Sequence, residues 1–149
     1  MNTTIKSLLN TDARNWALFA PRLILGLVMA AHGAQKLFGW FGGYGLKATA
    51  GFFSEQLGLN PGLFWATLAS SGEFFGGLLL LLGLATRFAA ATIAITMVVA
   101  IATVHNSAFF APAGMEFPLT LLAISIALLI GGGGALSSDA RLTRSTSTN

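Results

Sequence analysis

Four apolar stretches, each close to the length needed to cross a bilayer, take up most of this chain: Trp16 to Leu37, Gly62 to Leu84, Phe88 to Val104 and Phe117 to Leu136. A hydrocarbon core about 30 Å thick calls for about 20 mostly apolar residues per helix. Backbone at that depth must satisfy its own hydrogen bonds, so runs of this kind fold as helices. Composition agrees, with 54% of residues hydrophobic and 9% charged, against roughly a quarter charged in soluble domains. The sequence therefore predicts an all-α membrane protein: a four-transmembrane-helix bundle over residues 15–137, an N-terminal cytoplasmic segment at 1–14 and a disordered cytoplasmic tail at 138–149. The lipid bilayer is its first partner. The net charge of +3 forms no basic face and no aromatic-interleaved basic stripe, which excludes a nucleic-acid partner.

The first span is too long for a signal-peptide core of about 7 to 15 residues and contains Arg22, so it reads as a permanent helix. Lys6, Arg14 and Arg22 at its entry, Arg87 in the second turn, and Arg141 and Arg144 after the fourth span place both termini in the cytoplasm. Pro21 predicts a local kink near the inner interface, where Arg22 snorkels to the headgroups as an anchor or reaches a ligand. Between the first two spans, Phe38-Gly39-Trp40-Phe41-Gly42-Gly43-Tyr44-Gly45 interleaves aromatics with glycine. Leu46, Ala50, Phe53 and Leu57 then recur at helical spacing, with Gly58 and Asn60-Pro61 as stops. This predicts a short amphipathic interfacial helix between helices 1 and 2, which with the aromatic loop caps the outer end of the bundle.

The ionisable residues inside the spans carry the functional question, because a charge at membrane depth costs several kcal/mol (about 2.5 to 3.5 on insertion scales). His32 and Lys36 are i,i+4 neighbours on one face of the first helix. Glu73 lies on the second helix, which runs the other way, and side chains lean toward their helix N-termini, so the tips converge. At about 1.5 Å per residue, His32 lies roughly 9 Å and Glu73 roughly 16 Å below the outer end. His105 ends the third span and Glu116 opens the fourth, so all four helices face one outer polar cluster. Gly72-x-x-x-Gly76 and the stripe Gly26, Ala30, Ala34 predict close contact between helices 1 and 2.

Three readings of the cluster stand side by side. Lys36 and Glu73 form a structural ion pair bridged by His32; or the residues line a proton-coupled ligand pocket; or two His and two Glu hold a metal, although no HxxxH or HExxH spacing calls for one. Bis-His haem through His32 and His105 has nothing specific in its favour. Glu55, Lys47 and Asp139 read as solvated charges. The chain contains no cysteine, which removes thiol-disulfide chemistry and thiolate-ligated clusters.

The runs His32-Gly33-x-x-Lys36-Leu37, Phe41-Gly42-Gly43-x-Gly45, Glu73-x-x-Gly76-Gly77 and Gly83-Leu84-x-Thr86-Arg87 closely resemble the DoxX family of small bacterial inner-membrane proteins, over about Arg22 to Asp139. The resemblance implies a four-helix membrane protein of a family named after a quinone-linked oxidoreductase subunit, with some members tied to redox or thiol-stress complexes. It implies importance for Arg22, His32, Lys36, Glu73, Gly76, Gly77 and Arg87. Without cysteine, the dithiol mechanism of the similar-looking vitamin K epoxide reductase bundles does not carry over.

Together these readings predict a redox-associated membrane protein that takes a quinone or other small amphipathic ligand at its outer end. His32 exchanges a proton with a ligand oxygen, Glu73 tunes His32 or relays the proton, and Lys36 stabilises an oxyanion. Arg22, Trp40, Phe41, Tyr44, His105 and Glu116 are the further ligand-binding candidates, with the aromatic loop stacked over the ligand. A membrane or periplasmic redox partner, or a homo-oligomer, completes the system. The alternatives are a non-enzymatic scaffold whose GxxxG faces bind other subunits, and a small transporter.

Overall fold

The computed structural model describes residues 9–110 and 114–145. Its elements are α1 (Phe19–Phe38), α2 (Gly45–Glu55), α3 (Gly62–Leu82), α4 (Thr86–Thr103), α5 (Glu116–Gly131) and α6 (Ser138–Ser145), with short 3-10 turns at Trp16–Leu18 and Trp40–Gly42. There is no strand among the described residues. Among the described residues, three helices are long and apolar enough to cross a membrane: Trp16–Phe38, Gly62–Leu82 and Thr86–Thr103. α5 is equally apolar but has 16 residues, about 24 Å of rise. It ends five residues before the expected Leu136, because Gly132 leaves the helix at φ 75°.

The four long helices place mainly small or apolar residues inward and leave bulky apolar groups outside, as in α1, where Leu25, Gly26, Met29 and Gly33 are buried while Ile24 and Leu27 are exposed. α1 packs most extensively on α3, and α4 pairs with α5. The first contact depends on missing side chains: a Cβ on Gly33 would stand 2.4 Å from the backbone nitrogen of Phe74, and one on Gly77 2.4 Å from that of Ala30. The expected close approach of the first two long helices is present, but Gly77 rather than the Gly72-x-x-x-Gly76 pattern meets Gly26 and Ala30. Gly72 and Gly76 face Thr92 and Ile93 of α4 instead. The core joins Leu25 and Met29 to Leu80, Ile93, Met97, Leu121 and Leu128.

At the end where α3 turns into α4, three expectations change. Arg22 does not snorkel; it is 1% exposed, and its Nη1 donates to the carbonyls of Leu80 (2.8 Å) and Leu81 (3.3 Å) while Nη2 donates to that of Ala135 (3.3 Å). A guanidinium there satisfies the orphan carbonyls at the C-terminus of α3 and sits at the negative end of its dipole. Asp139 is not solvated but fully buried. Its two carboxylate oxygens accept the backbone N–H groups of Ala85 (2.7 Å) and Thr86 (2.9 Å), capping α4, while its own N–H donates to Gly83. The segment from residue 138 is therefore α6 through Ser145 rather than a disordered tail, and residues 146–149 lie outside the described residues. Asp12 accepts the N–H of Arg14, but Asn15 caps the first 3-10 turn. Pro21 falls in the first turn of α1, just after that 3-10 turn passes into α-helix.

Candidate functional site

Lys36 and Glu73 meet as the opposed leans of α1 and α3 require. Lys36 Nζ stands 2.5 Å from Glu73 Oε1. Glu73 is 1% exposed, and its second oxygen, Oε2, is buried with no hydrogen-bond partner. A buried carboxylate oxygen left in that state costs of order 1 to 3 kcal/mol or more. Such a group is therefore expected to have a use.

Both residues border a cavity of about 790 Å³ enclosed by α2, α3 and α4. Its walls are mainly apolar, with Phe52 and Phe53 from α2, Leu68 from α3, and Ile95 and Val99 from α4. Four of these five are exposed, Phe52 to 42% and Ile95 to 67%, and Phe53 is half-buried, so the cavity is open at its side. Glu73 marks its deep end beside Thr92, whose methyl group would touch a Cβ at Gly72 at 2.9 Å. His105 and Tyr44 mark the outer end. Size, apolar lining and a few polar groups are the usual attributes of a small-molecule site.

The other expected residues are distributed differently. His32 lies one turn before Lys36 and within electrostatic reach of both charges, but it does not line the cavity; its ring packs on Phe117 of α5 at 6.0 Å. His105 is half-buried, with its Nδ1 unpartnered. Glu116 is half-buried at the start of α5, its N–H bonded to Phe109, and stands outside the cavity lining. In the aromatic loop only Tyr44, 89% exposed, reaches the rim; Trp40 and Phe41, at 55% and 75%, point elsewhere. The loop's backbone does not bring their rings over the opening, and Phe41 sits at φ 53°. Arg22 belongs to the opposite end of α1 and is absent from the lining. No group of three or more His, Asp or Glu converges to hold a metal among the described residues.

Sequence reasoning passed over the α4 wall. Thr92 and Thr96, one helical turn apart in an otherwise apolar run, were its visible signal. Of the expected apolar face, Phe53 on α2 and Leu57 just beyond it line the cavity, and so does Phe52, which that spacing does not include.

A family model described as DoxX matches residues 17–106. The protein named "Putative oxidoreductase CatD" of Bacillus subtilis (strain 168) is 35% identical over 118 residues, covering 79% of this chain and 81% of that relative. No solved structure matches the chain.

Proposed function

The chain belongs to the DoxX family of multi-pass membrane proteins, and from that premise we propose that it binds a membrane-dissolved, quinone-type amphiphile in the α2–α3–α4 cavity as part of a redox system. The observation that carries this reading is the buried, unpartnered Glu73 Oε2 at the deep end of an apolar cavity. Structural ion pairs usually have their remaining lone pairs satisfied; this one keeps an unpartnered acceptor in a residue that borders a cavity. The name of the Bacillus subtilis relative, "Putative oxidoreductase CatD", points the same way.

In this reading the ligand's head enters sideways between α2 and α4 and lies against Lys36 and Glu73, while its tail follows the Phe52–Val99 wall into lipid. The bound ligand supplies the redox chemistry. Lys36 holds a ligand oxygen, Glu73 Oε2 holds or moves its proton, and His32, behind Glu73, passes that proton onward along the α1–α5 side. His105 and Tyr44 orient the outer part of the ligand. With no cysteine in the chain, electrons are exchanged with a membrane or periplasmic partner through the ligand. All four long helices, α5 included, cross the bacterial inner membrane; α2 lies at its outer interface and both termini are cytoplasmic, as the basic residues at the inner ends favour.

The test is photolabelling in lipid nanodiscs with a diazirine-bearing alkyl quinone. Labels are expected on α2 and α4 peptides containing Phe52, Phe53 or Val99, and they should be competed away by unlabelled quinone. Labels confined to the outer, lipid-facing α1 and α5 surfaces would end the proposal.

A further inference from the structure

The polar atoms of the cavity wall have a direction. Four threonines border it: Thr49, Thr92, Thr96 and Thr103. Each donates its hydroxyl proton to the backbone carbonyl four residues earlier, at 2.8, 3.0, 3.1 and 2.7 Å respectively. A hydroxyl has one proton and two lone pairs, so all four are left able only to accept from a ligand. Glu73 Oε2, buried and unpartnered, is a further acceptor. At the deep end the donor is Lys36 Nζ, which gives one proton to Oε1 at 2.5 Å and keeps two. The other donors in the lining, Tyr44, Trp65 and His105, belong to the outer end: Trp65 lies in the first turn of α3 and His105 just beyond α4.

From this arrangement we infer that the site selects a head group bearing hydroxyls, the hydroquinone-type form of the amphiphile, over the quinone form. The inference rests on the reading that this cavity binds such an amphiphile. A ligand hydroxyl accepts from Lys36 Nζ and donates to Glu73 Oε2, completing both groups at once. A quinone carbonyl takes only the first bond and sets its own lone pair against the carboxylate oxygen, which stays buried and unsatisfied. An ether oxygen fails in the same way. Sites built around a ligand hydroxyl reject analogues lacking it for this reason. Thr92 and Thr96 are assigned here as acceptors that extend the preference along the wall.

The test uses the full chain in lipid nanodiscs, titrated anaerobically with a decyl-substituted hydroquinone, the matching benzoquinone and the hydroquinone's bis-methyl ether. Partitioning into empty nanodiscs is subtracted. The hydroquinone should bind at least about tenfold tighter than either analogue. Glu73→Gln, whose amide both donates and accepts, should shrink that gap to about threefold or less by improving benzoquinone affinity. Thr92→Val, close in shape, provides the same check should the first variant not fold: it should weaken hydroquinone binding more than benzoquinone binding. Benzoquinone or ether binding as tightly as hydroquinone overturns the inference and leaves the cavity reading standing. A preference untouched by the substitutions also overturns it. Absence of saturable binding by all three probes overturns both.

Discussion

Arg22 and Glu73 are equally inaccessible, each 1% exposed, yet the protein treats the two charges in opposite ways. Around Arg22 the backbone closes in: three carbonyls from α3 and the 132–137 segment accept from it, and Asp139 nearby is held by two N–H groups of the α4 N-terminus. The Arg22 Nε and the Thr86 hydroxyl remain unpartnered there, but neither residue lines the cavity. Around Glu73 one ammonium binds one oxygen, the other oxygen is buried without a partner, and the residue borders a cavity of about 790 Å³ with mostly apolar walls. The comparison teaches that burial of a charge within a membrane bundle does not by itself mark a site. What separates a clasp from a site is whether the surrounding groups complete the hydrogen bonds or leave one facing a cavity.

Substitutions should separate the two regions by what they damage. The largest effect is expected for Arg22→Ala, which leaves three carbonyls without their donor: a loss of about 3 kcal/mol or more of stability, read as a lowered unfolding midpoint in detergent. Asp139→Ala removes the cap of α4 and should cost about 1 to 3 kcal/mol by the same measurement. If either variant unfolds like the parent chain, the inner clasp is not what holds the helix ends together.

The outer pair should behave differently. Lys36→Met alone strands a buried carboxylate and should destabilise by about 3 kcal/mol, whereas the double variant Lys36→Met/Glu73→Leu should recover most of that loss while amphiphile binding stays abolished. Binding that survives in the double variant would remove the pair from the site. The smallest effect is expected for Trp40→Ala: a change within about 0.5 kcal/mol and unaltered ligand affinity, since Trp40 is exposed and away from the cavity. A loss of affinity there would return the aromatic loop to the site.

The helices and the Lys36–Glu73 encounter were legible in the sequence because both follow from local rules, namely apolar length and the lean of side chains on antiparallel helices. The close approach of α1 and α3 was legible in the stripe Gly26, Ala30, Ala34, but the glycine that meets it is Gly77, one residue past the Gly72-x-x-x-Gly76 pattern. Asp139 was not, because its capping partners lie 53 and 54 residues away and a carboxylate in a Ser- and Thr-rich stretch looks solvated. Arg22 was misplaced for a related reason: its acceptors are backbone carbonyls, which every sequence contains and none advertises. The split between His32 and the cavity depends on helix rotation. Period alone puts His32 and Lys36 on one face, but Lys36 is long enough to reach α3 while the shorter imidazole stays against Phe117. The cavity itself depends on how far α2 stands off α3 and α4, which no residue pattern encodes directly.

The central claim is that Glu73 Oε2 is reserved for a ligand, and a structure in lipid nanodiscs with a decyl-substituted hydroquinone present tests it most directly. The account predicts ligand density between α2, α3 and α4 with a head-group oxygen about 3 Å from Oε2. Side chains filling that space, or Glu73 fully paired within the protein while the ligand lies elsewhere, would contradict it.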